Sequence, residues 1–159
     1  MKAIYLFSNY YPYGMVAESF LMDELQVVSQ MPCCYVEVIP LHKNEFRRDL
    51  PSNIVLNTKL SDTSLLQKMK AFFSMILGRF FWLIPFQRKY SPKSRSDYFQ
   101  AIKYLYGSYL IRDFLLRNKD DFKEGAIFYS YWFNHTPLGF CMAKEMCRNF
   151  EKSKIYTRA

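Results

Sequence analysis

Hydrophobic positions along this chain follow two periods in turn. Residues 3–8 (AIYLFS) are a short apolar run suited to a strand buried on both faces. A polar, aromatic turn follows over residues 9–14 (NYYPYG). Residues 17–30 then switch to a helical period, with Ala17, Phe20, Leu21, Leu25 and Val28 at helical spacing. The same alternation continues downstream. Residues 35–40 (YVEVIP) and 53–58 (NIVLNT) read as strands, separated by a polar, basic loop over 43–49. Residues 65–86 are helical in character and strongly apolar. A basic break over 91–97 precedes a second long helix over 98–117, with Ile102, Leu105, Tyr106, Tyr109, Leu110, Phe114 and Leu115 on or near one face. Gly125 closes a charged loop, and residues 126–131 (AIFYSY) form a fourth strand. Thr136 and Pro137 mark a helix start, as hydroxyl cap and first helical residue, and that helix runs to about Phe150. Residues 154–157 (KIYT) are a fifth strand.

Strands that alternate with helices predict an α/β domain built on a doubly wound, mostly parallel sheet. Residues 3–8 are expected at its centre, with 126–131 beside or near them. In such sheets ligands collect at the carboxyl ends of the strands, next to helix N-termini. That puts the loop over residues 9–14 where a site is expected. The chain ends as its fifth strand should deliver a loop to the same edge, so a piece of a longer protein is expected.

Composition sharpens this picture at two points. The 159 residues are 50% hydrophobic and 19% aromatic, enough for one domain with a real core and too apolar for disorder. The net charge of +8 is uneven. Residues 1–66 carry five basic and seven acidic side chains; residues 67–159 carry seventeen and seven. Within 67–103 there are eight basic residues and one acid, Asp97. Such a cluster suits an anionic partner (membrane lipid, a phosphorylated ligand or nucleic acid) or is a plain solvated surface. The sequence carries no nucleic-acid-binding motif. The four cysteines, Cys33, Cys34, Cys141 and Cys147, have neither metal spacing nor a CxxC pair. A reducing, cytoplasmic compartment and no metal are expected.

Candidate chemistry clusters at the strand ends. Gly14 lets the loop backbone approach a sugar or diphosphate, or is an ordinary turn glycine. Tyr13 beside it shares the loop. Glu18 is placed to contact a substrate hydroxyl, or is a carboxylate favoured by the helix dipole in the first turn. Tyr131 and Trp132 are placed to stack on a sugar ring, or to pack in the core. His135 sits where it can donate to an acceptor or phosphate near a helix N-terminus, or is structural or solvated. Arg158, at a strand end, is a fair phosphate ligand, or simply part of a frayed terminus. There is no GxGxxG, which argues against a dinucleotide.

Residues 69–90 (MKAFFSMILGRFFWLIPFQRKY) are too interrupted for a membrane span. Arg79 lies mid-segment and Pro85 near its end, while a span needs about 20 apolar residues. Basic residues flank the segment on both sides. An interfacial helix at the inner face of the cell membrane fits this pattern, with Arg79, Phe81, Trp82, Arg88, Lys89, Lys93 and Arg95 as contacts. A helix buried against the sheet would also need apolar residues on several sides.

Three stretches carry a family resemblance. IYLFSNYYPYG followed by AESFLMDEL resembles the start of the N-terminal domain of a GT-B glycosyltransferase, of the retaining family 4 group that builds bacterial polysaccharides. IFYSYWFNHTPLGFCMAKE resembles the family's later strand, turn and helix, with Tyr129 and Tyr131 where many members have histidines. The ending KIYTRA resembles the strand leading to the family's Arg-Ala-His-Gly motif. The match is loose over residues 43–123. The resemblance implies a Rossmann-like acceptor-side domain of a glycosyltransferase, with its nucleotide-sugar bound by a donor-side domain absent from this chain. It implies a glycan or lipid-linked acceptor, no cofactor, and no turnover by this chain alone. A non-catalytic peripheral membrane or partner-binding α/β module is the competing expectation.

Overall fold

The computed structural model describes residues 2–14, 18–31, 34–83, 94–132 and 134–158. Five strands form one sheet: β1 (Lys2–Ser8), β2 (Cys34–Pro40), β3 (Ile54–Leu56), β4 (Ile127–Ser130) and β5 (Lys154–Thr157). Their order is β3-β2-β1-β4-β5, and every pairing is parallel. The helices are α1 (Phe20–Ser29), α2 (Leu65–Leu77), α3 (Arg79–Leu83), α4 (Arg95–Arg117) and α5 (His135–Met146). This is a Rossmann-like, doubly wound α/β fold. The expected centre and neighbour of the sheet are as the apolar runs predicted.

Strand β1 explains the two-sided burial. Ala3, Tyr5 and Phe7 point into a core shared with α4 and α5, while Ile4 and Leu6 join a second core under α1. The first core is aromatic. Phe128 lies 5.4–5.6 Å, centroid to centroid, from the rings of Tyr5, Phe122, Phe140 and Phe150. The second core takes Leu21 and Leu25 from α1, both fully buried. A third cluster, Met75, Leu105, Tyr109 and Met142, joins α2 to α4 and α5 on the outside.

Helix boundaries differ from the expected ones for local reasons. The long apolar stretch breaks at Gly78, whose extended backbone (φ −81°, ψ 144°) ends α2 before α3 begins, and a Cβ there would lie 1.8 Å from the Tyr109 hydroxyl. Helix α4 starts at Arg95 because Ser94 and Asp97 form a reciprocal capping box. Helix α5 starts at His135, since the Asn134 side chain accepts the Thr136 N–H at 2.9 Å. Thr136 is therefore already helical, and the cap lies two residues earlier than expected.

Close approach of α4 and α5 depends on small residues. A Cβ at Gly139 would meet the Ile111 Cβ at 2.6 Å and the Ser108 carbonyl at 2.7 Å. Backbone cannot give way as a flexible side chain can. Gly139→Ala is therefore expected to destabilise the protein by about 1–3 kcal/mol, although alanine gains up to about 1 kcal/mol in helix propensity. Urea unfolding of the variant checks the sign; a stabilised variant would mean that the two helices part without cost.

Candidate functional site

The strand order reverses direction between β1 and β4, and the loops after these strands flank that switch point. Glu18 joins them. It precedes α1 in a left-handed conformation (φ 53°) and is 6% exposed. Its carboxylate accepts the backbone N–H groups of Asn9 (3.0 Å), Tyr10 (2.9 Å) and Tyr11 (2.8 Å), and the Trp132 indole N–H (2.7 Å). A tight loop leaves N–H groups without partners, and a carboxylate has enough lone pairs for all of these. Glu18 thus lies in a turn and not in the first helical turn, and its oxygens hold protein atoms.

Gly14 and Tyr13 fasten the same loop from the other end. Gly14 has φ 86°, a region that L side chains rarely adopt, and its N–H donates to the Phe46 carbonyl at 2.9 Å. Tyr13 is buried and bridges to Arg47. Both tie the loop over residues 9–14 to residues 46–48.

Across the edge, Phe20, Tyr131, Trp132 and Arg158 line a hollow of about 310 Å³. Phe20 and Tyr131 stack at 4.9 Å and 21°. Trp132 stands nearly perpendicular to both, at 6.0 Å and 5.4 Å. Phe20 and Trp132 are each 42% exposed, so apolar ring surface faces solvent. Trp132 is nonetheless fixed: Glu18 takes its N–H, and its carbonyl accepts from Ser130 Oγ (2.7 Å) and the Asn134 N–H (2.8 Å). Arg158 sits over the Tyr131 ring at 5.4 Å. Its Nη1 donates to the Tyr131 hydroxyl (2.8 Å) and to Glu24 of α1. Among the described residues, its Nε and Nη2 have no acceptor. Burial, with the Glu24 charge adding to it, raises the Tyr131 phenol above its ordinary value, so it stays neutral. A larger hollow of about 780 Å³ lies between α1 and residues 46–51, away from these rings.

His135 does not face this hollow. Its ring packs on Gly107 of α4, where a Cβ would lie 2.5 Å from Cδ2, and Tyr104 meets it edge-on at 6.4 Å. Burial lowers its pKa below 6.5, and the nearby His42 charge lowers it further. Asn134 and His42, which the sequence did not single out, converge beside it with Asn9 and Tyr10 of the expected loop. The Asn134 Nδ2 donates to Asn9 Oδ1 (3.0 Å), the His42 N–H donates to the Asn9 carbonyl (2.9 Å), and the Tyr10 and His42 rings lie 5.1 Å apart. The loops after β1, β2 and β4 are thereby locked together. Their only sequence signal was position just after a strand.

The expected membrane contacts separate. Trp82 is exposed. Phe81 is half-buried in the third cluster and meets Trp82 edge-on at 5.4 Å. Arg79 pairs with Glu145 at 3.8 Å and lies over the Phe80 ring. Arg95 is exposed in the first turn of α4. Arg88, Lys89 and Lys93 lie outside the described residues. No helix among the described residues is long and apolar enough to cross a membrane, and no group of three His, Cys, Asp or Glu side chains among them could hold a metal ion.

Two outcomes follow from the buried polar groups. Glu18→Gln places an amide NH₂ among donors, so it should cost about 2–4 kcal/mol in urea unfolding and change the near-ultraviolet signal of Trp132. An unchanged stability would mean that the loop holds itself. For His135, the folded state binds fewer protons than the unfolded state wherever the pH lies between its lowered pKa and 6.5. Stability is therefore insensitive to this group above 6.5 and falls as the pH drops below it. Urea unfolding of His135→Gln across this range should show a shallower acid loss than the parent chain, and the His135 ring protons should titrate below 6.5 in NMR spectra.

Comparison with protein-family models, curated proteins and solved structures finds no match for this chain, so what it binds has to come from the chemistry of its sheet edge.

Proposed function

We propose that this domain presents a sugar-bearing acceptor to a glycosyl-transfer site of the GT-B kind. The observation that carries the reading is the hollow lined by Phe20, Tyr131, Trp132 and Arg158 at the carboxyl edge of the sheet. Its size, about 310 Å³, is at the small end of ligand sites and suits one sugar ring. A pyranose has an apolar face of C–H groups, which stacks on an aromatic plane, and a hydroxyl rim that needs polar partners. Trp132 offers such a plane, and the Glu18 hydrogen bond keeps it from turning. Arg158 is placed to meet a phosphate on the acceptor, because guanidinium N–H groups match phosphate oxygens in pairs.

In this reading the nucleotide-sugar is held by a second, donor-side domain. An acceptor hydroxyl attacks the anomeric carbon, the C1–O bond to the nucleoside diphosphate breaks, and the hydroxyl proton leaves with it. This domain supplies position and supplies no reacting group, so its contribution is one of proximity. The three stretches of family resemblance agree with that division.

Saturation-transfer NMR with hexoses, hexose phosphates and a short polyprenyl-phosphate sugar tests the reading. Hexoses should bind weakly and hexose phosphates more tightly. Trp132→Ala should abolish both. Arg158→Gln should remove the phosphate preference, about 10- to 100-fold, while leaving the hexose contact. The 159-residue chain alone should give no sugar transfer from any nucleotide-sugar. Binding of none of these ligands, or turnover by the isolated chain, overturns the assignment.

A further inference from the structure

Helix α2 is amphipathic in an unusual sense: both of its faces are apolar. Ala71 and Met75 are fully buried, Met75 in the cluster with Leu105 and Tyr109 of α4. On the far side, Leu65 is 75% exposed, Leu66 63%, Phe73 55% and Leu77 85%, with Met69 and Phe72 close behind. A helix advances about 100° per residue. These six side chains therefore occupy an arc of about 140° centred opposite the buried pair. Lys68 falls at one margin of the arc and Lys70 at the other, both exposed. Trp82 on α3 is exposed as well. Single exposed apolar residues are ordinary on a protein surface, whereas a contiguous set of this size marks a contact surface.

We infer that α2 lies flat in the surface of an anionic lipid bilayer, its outer apolar arc among the acyl chains and its two lysines at the headgroups. Charge selects this occupant. Between Asp62 and Asp97 the sequence has seven basic residues and no acid. A second copy docked on the same face would set Lys68 and Lys70 against their own counterparts with no acid of α2 to meet them, whereas an anionic leaflet complements them. Shape agrees. Along one side of this exposed helical ridge, Leu65, Lys68, Met69, Phe72 and Phe73 line, with Tyr106 of α4, an open depression of about 370 Å³. A fluid bilayer accepts a ridge without shape complementarity. Lysine stems also extend along apolar surface while the ammonium reaches the phosphates. The contact centres on α2, the first part of the stretch over 69–90 that the sequence pointed to, because Phe80 and Phe81 are partly spent on the protein's own third cluster.

Flotation of the 159-residue chain with vesicles tests this. One set is phosphatidylcholine alone; the other mixes in phosphatidylglycerol. The parent chain should float with the mixed vesicles at low salt and release as salt approaches molar, where screening shortens to about 3 Å. The triple variant Met69→Gln/Phe73→Gln/Leu77→Gln should bind on the order of a hundredfold less tightly. These positions are exposed and glutamine favours helix, so its circular dichroism and urea midpoint should match the parent chain. Lys68→Gln/Lys70→Gln should lose about thirtyfold on the mixed vesicles only. A parent chain that ignores the mixed vesicles, or a triple variant that floats as well as the parent, overturns the inference. So does a parent dimer in light scattering that the triple variant dissolves, which would give the ridge to a second copy. None of these variants touches the rings at the sheet edge, so failure here leaves the sugar reading standing.

Discussion

One carboxylate holds the working edge of this domain in shape. The loop after β1 bends so tightly that three successive N–H groups, those of Asn9, Tyr10 and Tyr11, converge on one point, and Glu18 fills it. Left unmet, each buried donor would cost about 1–3 kcal/mol. The same two oxygens hold the Trp132 indole from the loop after β4. The switch point of the sheet is thus bridged by a side chain and not left as an empty crevice. A non-glycine residue with positive φ costs energy, and structures keep one where surrounding contacts over-determine it. Four hydrogen bonds at Glu18 do so here.

What the bridge positions matters as much as what it joins. By fixing Trp132 it props one aromatic wall beside the stacked pair of Phe20 and Tyr131. Arg158 then closes the opening from the end of β5, steered by Glu24 of α1 and by the Tyr131 hydroxyl. The walls of this hollow therefore come from three segments: the start of α1, the loop after β4, which gives both Tyr131 and Trp132, and the residue that follows β5. The fold brings them together through parallel pairing of β4 with β1 and of β5 with β4.

The sheet edge and the α2 ridge use aromatic side chains in opposite ways. At the edge, rings are held by hydrogen bonds and by one another, which preserves a defined shape. On the ridge, Phe72 meets Phe73 edge-on at 6.0 Å and Tyr106 at 6.3 Å, and about half of each phenylalanine stays open to solvent with no hydrogen-bonded group to fix it. A defined cradle suits a small ligand of fixed outline, and an open ridge suits a fluid one. Helix α4 links the two regions mechanically. Leu105 and Tyr109 receive α2, while Gly107 and Ser108 receive the start of α5 at His135.

The sequence by itself determined the five strands and a mostly parallel sheet centred on residues 3–8, because strands buried on both faces must be short continuous apolar runs, as residues 3–8 and 126–131 are; the order of the outer strands came from the fold. The sequence also placed Tyr131, Trp132 and Arg158 at one edge, since parallel strands deliver their carboxyl ends together. Three further things were decided only by tertiary structure. Helical spacing put Glu18 in the first turn of α1, but its left-handed backbone is set by loop N–H groups seven to nine residues away. Thr136 and Asn134 are both good caps, and the contact of Asn134 with Asn9, 125 residues distant, selects the latter. Finally, the apolar pattern of residues 65–86 is the same whether a helix is buried all round or half uncovered. Which side faces water depends on where α4 runs, and α4 covers Ala71 and Met75 while leaving Leu65, Phe73 and Leu77 bare.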